Sequence, residues 1–191
     1  LSIQSPEMVA NFQGEFNRMF VDHVFGPNPP RQVPFPVARV GKATIETYFS
    51  PKGGGQEAVI KTIQTAKKNI AFMTFSLTDK TIGELMIQKK QAGVNVNGVF
   101  DRCLGSSRYS LLDVFRKNNV YSRIDGNEAL LHHKVILVDN TVITGSNNYS
   151  NNSESSNNEN ILIIHNDAPT TQAYYDEYNR IMNAAKNNRP P

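Results

Sequence analysis

The chain has 191 residues, of which 39% are hydrophobic and 19% are charged, a balance that is typical of a folded globular protein and excludes a disordered chain. Its formal net charge of +3 and its pI of about 9.0 suit an anionic partner such as nucleic acid or an acidic lipid head group. A single cysteine, Cys103, excludes an internal disulfide and a multi-cysteine metal site. No apolar run approaches the roughly 20 residues that a membrane helix needs.

The first 42 residues precede the main pattern and divide into two parts. Residues 1–23 contain a strand-like stretch at 1–4 and then an amphipathic helix, whereas residues 24–42 hold five prolines and no periodic pattern, which predicts an extended linker. Residues 15–20 (EFNRMF) are repeated at 177–182 as EYNRIM. We interpret residues 1–23 as the tail of an upstream copy of the same domain; the alternative is an N-terminal helix that merely has a similar face.

Strand-like and helix-like segments alternate from residue 43 to residue 187. β-Branched and apolar patterns predict strands at 43–49, 69–75, 94–100, 120–124, 135–138, 141–144 and 161–164. Helical spacing of apolar residues predicts helices at 56–68, 79–92, 109–117 and 169–185. This alternation predicts an α/β domain with a mixed, largely parallel sheet and helices on both faces. The all-apolar run 135–138 suits a central strand that is covered on both sides.

The clearest chemical pattern begins where that central strand begins. Alternate side chains of a strand point to the same face, so His132 and Lys134 are expected to project together and His133 to project the other way. An ammonium group neutralises a non-bridging phosphate oxygen while a neighbouring imidazole nitrogen attacks phosphorus. We therefore predict a catalytic role for His132 and Lys134 and a structural one for His133.

Further polar residues follow in the next turn and strand. Gly145 permits a tight turn, after which Ser146 and Asn148 are short hydrogen-bonding side chains suited to phosphate oxygens. Glu159, on a neighbouring predicted strand, is suited to accept the other imidazole N–H of His132 and to fix its tautomer. Plain turn chemistry for Ser146 and Asn148, and a surface carboxylate for Glu159, are the structural alternatives.

The ordered series H-x-K, four residues, Asp139, then G-S-x-N at residues 145–148 resembles the HKD signature of the phospholipase D superfamily. The resemblance covers residues 43–187. Five residues separate Asp139 from Gly145, where the family commonly has six, which suggests a tighter hairpin.

The resemblance implies a fold of the phospholipase D/nuclease type and a metal-independent phosphodiesterase without a cofactor. It further implies a phosphohistidine on His132, a phosphate pocket made by Lys134 with the residues at 146 and 148, and orientation of His132 by Glu159. Asp139 belongs to the catalytic motif, although it is more similar to a structural or orienting residue, and a turn residue is the alternative.

The reaction also needs a proton donor for the leaving oxygen, on the side of phosphorus opposite the nucleophile. Members of the family meet this need with two HKD motifs related by a pseudo-twofold axis. Residues 1–130 contain no second H-x-K. We therefore expect either a homodimer, in which two His132 side chains face each other, or pairing with an upstream repeat.

Three functions remain open at this point. The basic charge and the lack of an apolar lip favour a nuclease that acts on DNA or RNA with little sequence specificity. The alternatives are a phospholipase D or phosphatidyl transferase, and a non-catalytic half that holds phosphate or nucleic acid without turnover. The sequence leaves the compartment open, but two glycosylation sequons, at 148–150 and 151–153, lean against secretion from a eukaryote and favour a bacterial protein, exported or not.

Overall fold

The computed structural model describes residues 1–30 and 32–185, in which one eight-stranded sheet carries helices on both faces. The strands are β1 (Val37–Val40), β2 (Ala43–Phe49), β3 (Asn69–Thr74), β4 (Asn95–Phe100), β5 (Tyr121–Ile124), β6 (Lys134–Val138), β7 (Thr141–Gly145) and β8 (Asn160–His165). The helices are α1 (Pro6–Phe16), α2 (Gly55–Gln64), α3 (Lys80–Gln91), α4 (Arg102–Gly105), α5 (Leu112–Lys117), α6 (Asn151–Ser155) and α7 (Ala168–Ala184), and a π-helical segment, Asn17–Val21, extends α1.

The strand order is β1-β2-β8-β7-β6-β3-β4-β5. This arrangement confirms the predicted α/β class, the mixed sheet and the helices on both faces. However, β3–β4 and β4–β5 are the parallel pairs and the other five pairs are antiparallel, so the expectation of a largely parallel sheet was wrong. The reason is that β1–β2 and β6–β7 are joined by two-residue hairpins, whereas parallel neighbours need a helical crossover.

Two hydrophobic cores lie on the two faces of the sheet. One is built from α2, α3 and α5 against side chains such as Ile136 and Ile163. The other is built from α1 and α7 against side chains such as Leu137 and Ile164. Strand β6 contributes to both cores and all five of its residues are buried, which confirms the predicted central strand. No helix of the described residues has the length and apolar character that crossing a membrane requires.

The N-terminal prediction needs two corrections. Residues 1–4 form no strand, and residues 37–40, within the predicted linker at 24–42, form strand β1. The prolines of the linker hid this strand, which pairs with β2 through a turn at Gly41, where φ is +61°.

Arg31 of the linker and residues 186–187 of the predicted domain lie outside the described residues. Residues 1–23 pack on the same sheet, because Met8 lies in the core with Ala38 and Ile45.

The repeated motif forms the same Glu–Arg ion pair in both copies, although Arg18 lies in the π-helical segment and Arg180 in α7. Arg18 donates two hydrogen bonds to Glu15, at 2.8 and 2.6 Å, and Arg180 donates two to Glu177, both at 2.7 Å. The first pair is buried, with Arg18 only 1% exposed, whereas Arg180 is exposed. The similarity therefore extends from sequence to side-chain arrangement. That residues 1–23 descend from an upstream repeat stays a prediction.

Candidate active site

The candidate site lies at the end of the sheet where β3 and β7 finish and β6 and β8 begin. Lys134, the first residue of β6, is paired with Thr74, the last residue of β3. Beyond this pair the backbone N–H of Phe75 donates to the carbonyl of His133 at 2.7 Å. Gly145, the last residue of β7, faces Ile161 near the start of β8. The residues that the sequence singled out, apart from Asp139, therefore sit at one end of the sheet.

His132 and Lys134 project to the same side of the sheet, and both contact the ring of Phe75. The imidazole and phenyl centroids are 4.6 Å apart, and the Lys134 Nζ lies 5.0 Å from the phenyl centroid. A cation above an aromatic face is attracted by its negative quadrupole, so Phe75 helps to hold the ammonium in place. Nothing in the sequence marked Phe75, because a phenylalanine after a strand carries no pattern of its own.

The two groups differ in their access to solvent. His132 is exposed and its ring makes no hydrogen bond within the described residues, whereas Lys134 is only 7% exposed and donates from Nζ to the carbonyl of His132 at 3.0 Å. Burial lowers the pKa of Lys134, and the negative charge of Glu159 opposes that shift. The imidazole therefore forms the open face of the site and the ammonium its positively charged wall.

His133 lies on the opposite side of the sheet, against α7. Its Nε2 is 3.4 Å from the Glu177 carboxylate, and the side chain is about one-third exposed. Burial lowers the pKa of His133 below the usual 6.5, and this effect outweighs the attraction of Glu177. The structure thus places the two adjacent histidines on different faces, as strand alternation predicts.

Ser146, Glu159 and Asn160 form a hydrogen-bond network between the end of β7 and the start of β8. The Ser146 hydroxyl donates to the Glu159 carboxylate at 2.5 Å and accepts from the Asn160 backbone N–H at 3.0 Å. Gly145 makes this close approach possible, because its φ is +143° and a Cβ there would lie 2.2 Å from the Asn160 carbonyl oxygen. The glycine of the motif is therefore required by the backbone packing beneath the site.

Glu159 does not occupy the position that the sequence suggested. Its carboxylate accepts from Ser146 and from the Asn157 side chain at 3.2 Å, and within the described residues it makes no hydrogen bond to His132. The reason is topological. Strand β7 lies between β6 and β8. Glu159 directly precedes β8, so it lies two strand spacings from β6, about 10 Å, and not beside it. In this chain Glu159 accepts the Ser146 hydroxyl, and its negative charge partly opposes the lowering of the Lys134 pKa by burial.

Several buried polar atoms at this end of the sheet have no hydrogen-bond partner among the described residues. They are the hydroxyl of Thr74 and the side-chain oxygens of Asn147 and Asn148. Thr74 faces Lys134 in the strand register, and Asn148 follows Ser146 by two positions. Folded proteins rarely leave such atoms unpaired, so these groups are available to a bound water or ligand. This end of the sheet therefore has more buried polar atoms than hydrogen-bond partners for them among the described residues.

Asp139 is the motif residue that the structure does not bring to the site. It follows the last residue of β6, at the opposite end of that strand, in a left-handed conformation with φ of +49°. Its carboxylate accepts from the backbone N–H groups of Lys67, Lys68 and Asn69 at 2.8, 3.0 and 2.8 Å. Burial alone would raise its pKa, but these three donors outweigh burial and lower it. The geometry gives Asp139 a structural role, holding the start of β3 to the β6–β7 hairpin.

No group of three or more His, Cys, Asp or Glu side chains that could hold a metal ion occurs in the part of the chain that the structure describes. The described site is instead an imidazole, an ammonium, a hydroxyl and amides gathered at the end of one sheet. Such a set can bind a tetrahedral anion and attack it with a nitrogen nucleophile.

Comparisons with known proteins give the same family at the level of sequence and of fold. The profile of the family described as cardiolipin synthase, PLD-like domain, matches residues 59–182. Among curated protein sequences, none matches this chain. Nuc from Salmonella typhimurium, a phospholipase D family member, is 29% identical with a TM-score of 0.73, covering 78% of this chain and 99% of that one.

Two further solved structures share the fold. NucT from Helicobacter pylori is 19% identical with a TM-score of 0.72, covering 76% of this chain and 99% of that one. The phosphatidylserine synthase of Haemophilus influenzae is 12% identical with a TM-score of 0.61, covering 75% of this chain but 39% of the synthase. The fold described here is therefore shared by Nuc, by NucT and by part of a phosphatidylserine synthase.

Proposed function

Because this chain belongs to the phospholipase D superfamily, whose members include nucleases and act as phosphodiesterases, we propose that it is a metal-independent nuclease that cleaves DNA or RNA through a phosphohistidine on His132. The observation that carries the proposal is the placement of His132 and Lys134 on one side of the sheet against the same phenyl ring. His132 is the exposed nucleophile, and Lys134 is the charge that draws a phosphodiester to it.

In the first step an imidazole nitrogen of His132 attacks phosphorus, a P–N bond forms and the P–O bond to the leaving group breaks. Lys134 neutralises a non-bridging oxygen, and the side-chain N–H of Asn148 donates to the phosphoryl group. The Ser146 hydroxyl also donates once it exchanges its Glu159 acceptor for a phosphoryl oxygen. A second histidine, protonated beforehand, gives its proton to the leaving oxygen. In the second step that histidine takes a proton from water, the hydroxide attacks phosphorus, and the P–N bond breaks.

The second histidine comes from another HKD half. Two histidines of this chain are not placed to be that second histidine, since His133 points to α7 and His165, at the far end of β8, pairs with Glu46 at 2.7 Å. Either a second copy of the chain or an upstream repeat supplies the missing group across a twofold axis.

Nucleic acid is favoured over phospholipid for two reasons. The net charge of +3 suits a polyanion, and Nuc, the most similar in sequence of the structures named above, is 29% identical whereas the phosphatidylserine synthase is 12% identical. A phospholipase D or phosphatidyl transferase would use the same chemistry and is the second candidate. A non-catalytic half that binds phosphate is the third.

The test compares His132→Ala with His133→Ala as a matched control one residue away. We expect the wild-type chain to hydrolyse bis(p-nitrophenyl) phosphate and to nick plasmid DNA in the presence of EDTA, with little release of lipid head groups from phosphatidylcholine. His132→Ala should lose at least about 10³-fold in kcat, whereas His133→Ala should retain activity.

Near-normal turnover by His132→Ala would refute the assigned nucleophile. Release of lipid head groups without DNA cleavage would instead support a phospholipase D or phosphatidyl transferase. A wild-type chain that binds vanadate but hydrolyses neither substrate would be the non-catalytic half. Circular dichroism of each variant verifies that a loss of activity does not reflect unfolding.

A further inference from the structure

A polar groove of about 890 Å³ lies beside the candidate site and has no part in the chemistry described above. One wall includes Ser76, which directly follows Phe75, and Ser150, which follows Asn148 by two positions. The two chain segments of this wall are joined, because the backbone N–H of Tyr149 donates to the carbonyl of Ser76 at 3.2 Å. The groove therefore opens next to the groups that would hold the phosphate.

The far wall of the groove carries an exposed aromatic platform. Tyr109 is 63% exposed, and the guanidinium carbon of Arg108 lies 4.6 Å from the centroid of its ring. The same guanidinium donates to the Tyr109 hydroxyl, which fixes the two groups together. An exposed tyrosine ring and a guanidinium plane are the surfaces on which unpaired bases stack, and the guanidinium adds a positive charge for the backbone.

The remaining lining suits a sugar–phosphate chain rather than an acyl chain. Hydroxyl and amide groups such as those of Thr81, Ser107 and Asn151 line it together with apolar side chains (Leu104, Leu111 and Val114), and Lys80 adds an exposed cation. The acidic member of the lining, Asp79, is already engaged, since its carboxylate accepts from the Ile82 N–H at 3.1 Å as the N-cap of α3 and also from the Gln56 side chain. Asp79 is also buried at the N-terminus of α3, whose positive partial charge offsets part of its negative charge.

We propose that the Arg108–Tyr109 pair is a base-stacking platform that makes the chain bind unpaired nucleic-acid strands in preference to duplexes. The nucleotide next to the phosphodiester at His132 would lie in the groove with its base on this platform. The inference rests on the proposed function, whose nucleic-acid substrate it narrows to single strands. Bases in a duplex are already stacked and paired, so they offer no free face to Tyr109. A volume of about 890 Å³ falls within the roughly 300–1,000 Å³ of pockets that hold ligands of nucleotide size.

The test is a binding measurement on the full chain, using fluorescence anisotropy with a labelled single-stranded DNA oligomer in EDTA. We expect Tyr109→Ala to weaken binding by about 5- to 150-fold, which corresponds to the ~1–3 kcal/mol of one base–aromatic stack. Tyr109→Phe keeps the ring and should bind within about 2-fold of the wild type. Tyr121→Ala is the matched control, because Tyr121 is a similarly exposed tyrosine, at 55%, on the edge strand β5.

Two further ligands make the result specific. A duplex of the same length, and an oligomer of abasic deoxyribose phosphates, should both bind more weakly and respond little to Tyr109→Ala. Equal single-strand affinity of the wild type and Tyr109→Ala, or an equal loss in Tyr121→Ala, would overturn the inference. So would a loss that appears with anionic lipid vesicles and not with the oligomer.

The inference and the proposed function can fail separately. One outcome is that the wild type hydrolyses bis(p-nitrophenyl) phosphate while Tyr109→Ala leaves strand binding unchanged. That result would support the phosphodiesterase function and refute the stacking platform. If the chain hydrolyses no phosphodiester but Tyr109→Ala weakens strand binding, the stacking platform is supported and the phosphodiesterase function is refuted.

Discussion

Replacing Asp139 with asparagine separates a structural role from a catalytic one. Asparagine tolerates the left-handed conformation that Asp139 adopts, so the backbone pays no new penalty. The carboxylate accepts three backbone N–H groups, and asparagine offers one acceptor oxygen in place of two, so the bond from Lys67 at 2.8 Å is lost first. Hydrogen bonds to charged groups contribute about 1.5–3 kcal/mol each, and the two that remain become weaker as the charge is removed.

The expected cost is therefore about 2–4 kcal/mol in the free energy of unfolding. For a chain of this size that corresponds to a decrease in Tm on the order of 5–15 °C. Thermal unfolding followed by circular dichroism measures this decrease. The activity per folded molecule, assayed well below the Tm, should remain near that of the wild type, because Asp139 is about 17 Å of strand away from Lys134. Asn140→Ala, at the exposed next position of the same turn, should change stability by no more than about 0.5 kcal/mol.

The pH dependence gives an independent check of the same account. Because the folded pKa of Asp139 is lowered, its contribution to stability is present above the unfolded pKa and is lost as the pH falls through the folded value. The Tm values of wild type and Asp139→Asn should therefore converge in acid. A variant with an unchanged Tm and a kcat reduced by orders of magnitude would refute the structural role.

Three further substitutions test the surroundings of the site. Burial lowers the folded pKa of His133, so the wild type should lose stability as the pH drops below 6.5. His133→Gln should therefore show a smaller decrease in Tm between pH 8 and pH 5 than the wild type, and equal decreases in both proteins would contradict this. Gly145→Ala should cost roughly 1–3 kcal/mol in urea unfolding, because its Cβ would collide with the Asn160 carbonyl, and an unchanged midpoint would contradict that packing. Ser146→Ala should lower kcat by about 10²-fold with little change in fold, and full activity would remove the hydroxyl from the phosphate pocket.

Much of the central region could be predicted from local sequence. An all-apolar run preceded by H-x-K predicted a buried central strand with His132 and Lys134 on one side of it and His133 on the other, because strand alternation has a fixed period of two. The five-residue gap between Asp139 and Gly145 suggested a tight hairpin, and β6 and β7 are joined by two residues.

The order of the strands could not be predicted in the same way. Glu159 was expected beside His132, but β7 lies between their strands, and strand order depends on long-range packing that no local pattern encodes. Strand β1 was concealed by the neighbouring prolines, although its alternation and the turn at Gly41 are visible once its pairing is known. Phe75 carries no chemical signature and became part of the site only through its contacts.

Covalent labelling tests the role of His132 most directly. The chain is mixed with excess bis(p-nitrophenyl) phosphate, quenched in alkali within one turnover, and digested for mass spectrometry. We predict a p-nitrophenyl phosphoryl adduct on the peptide that contains His132, present in His133→Ala and absent from His132→Ala. Turnover by the wild type with no adduct on His132, or with the adduct on another residue, would contradict the account.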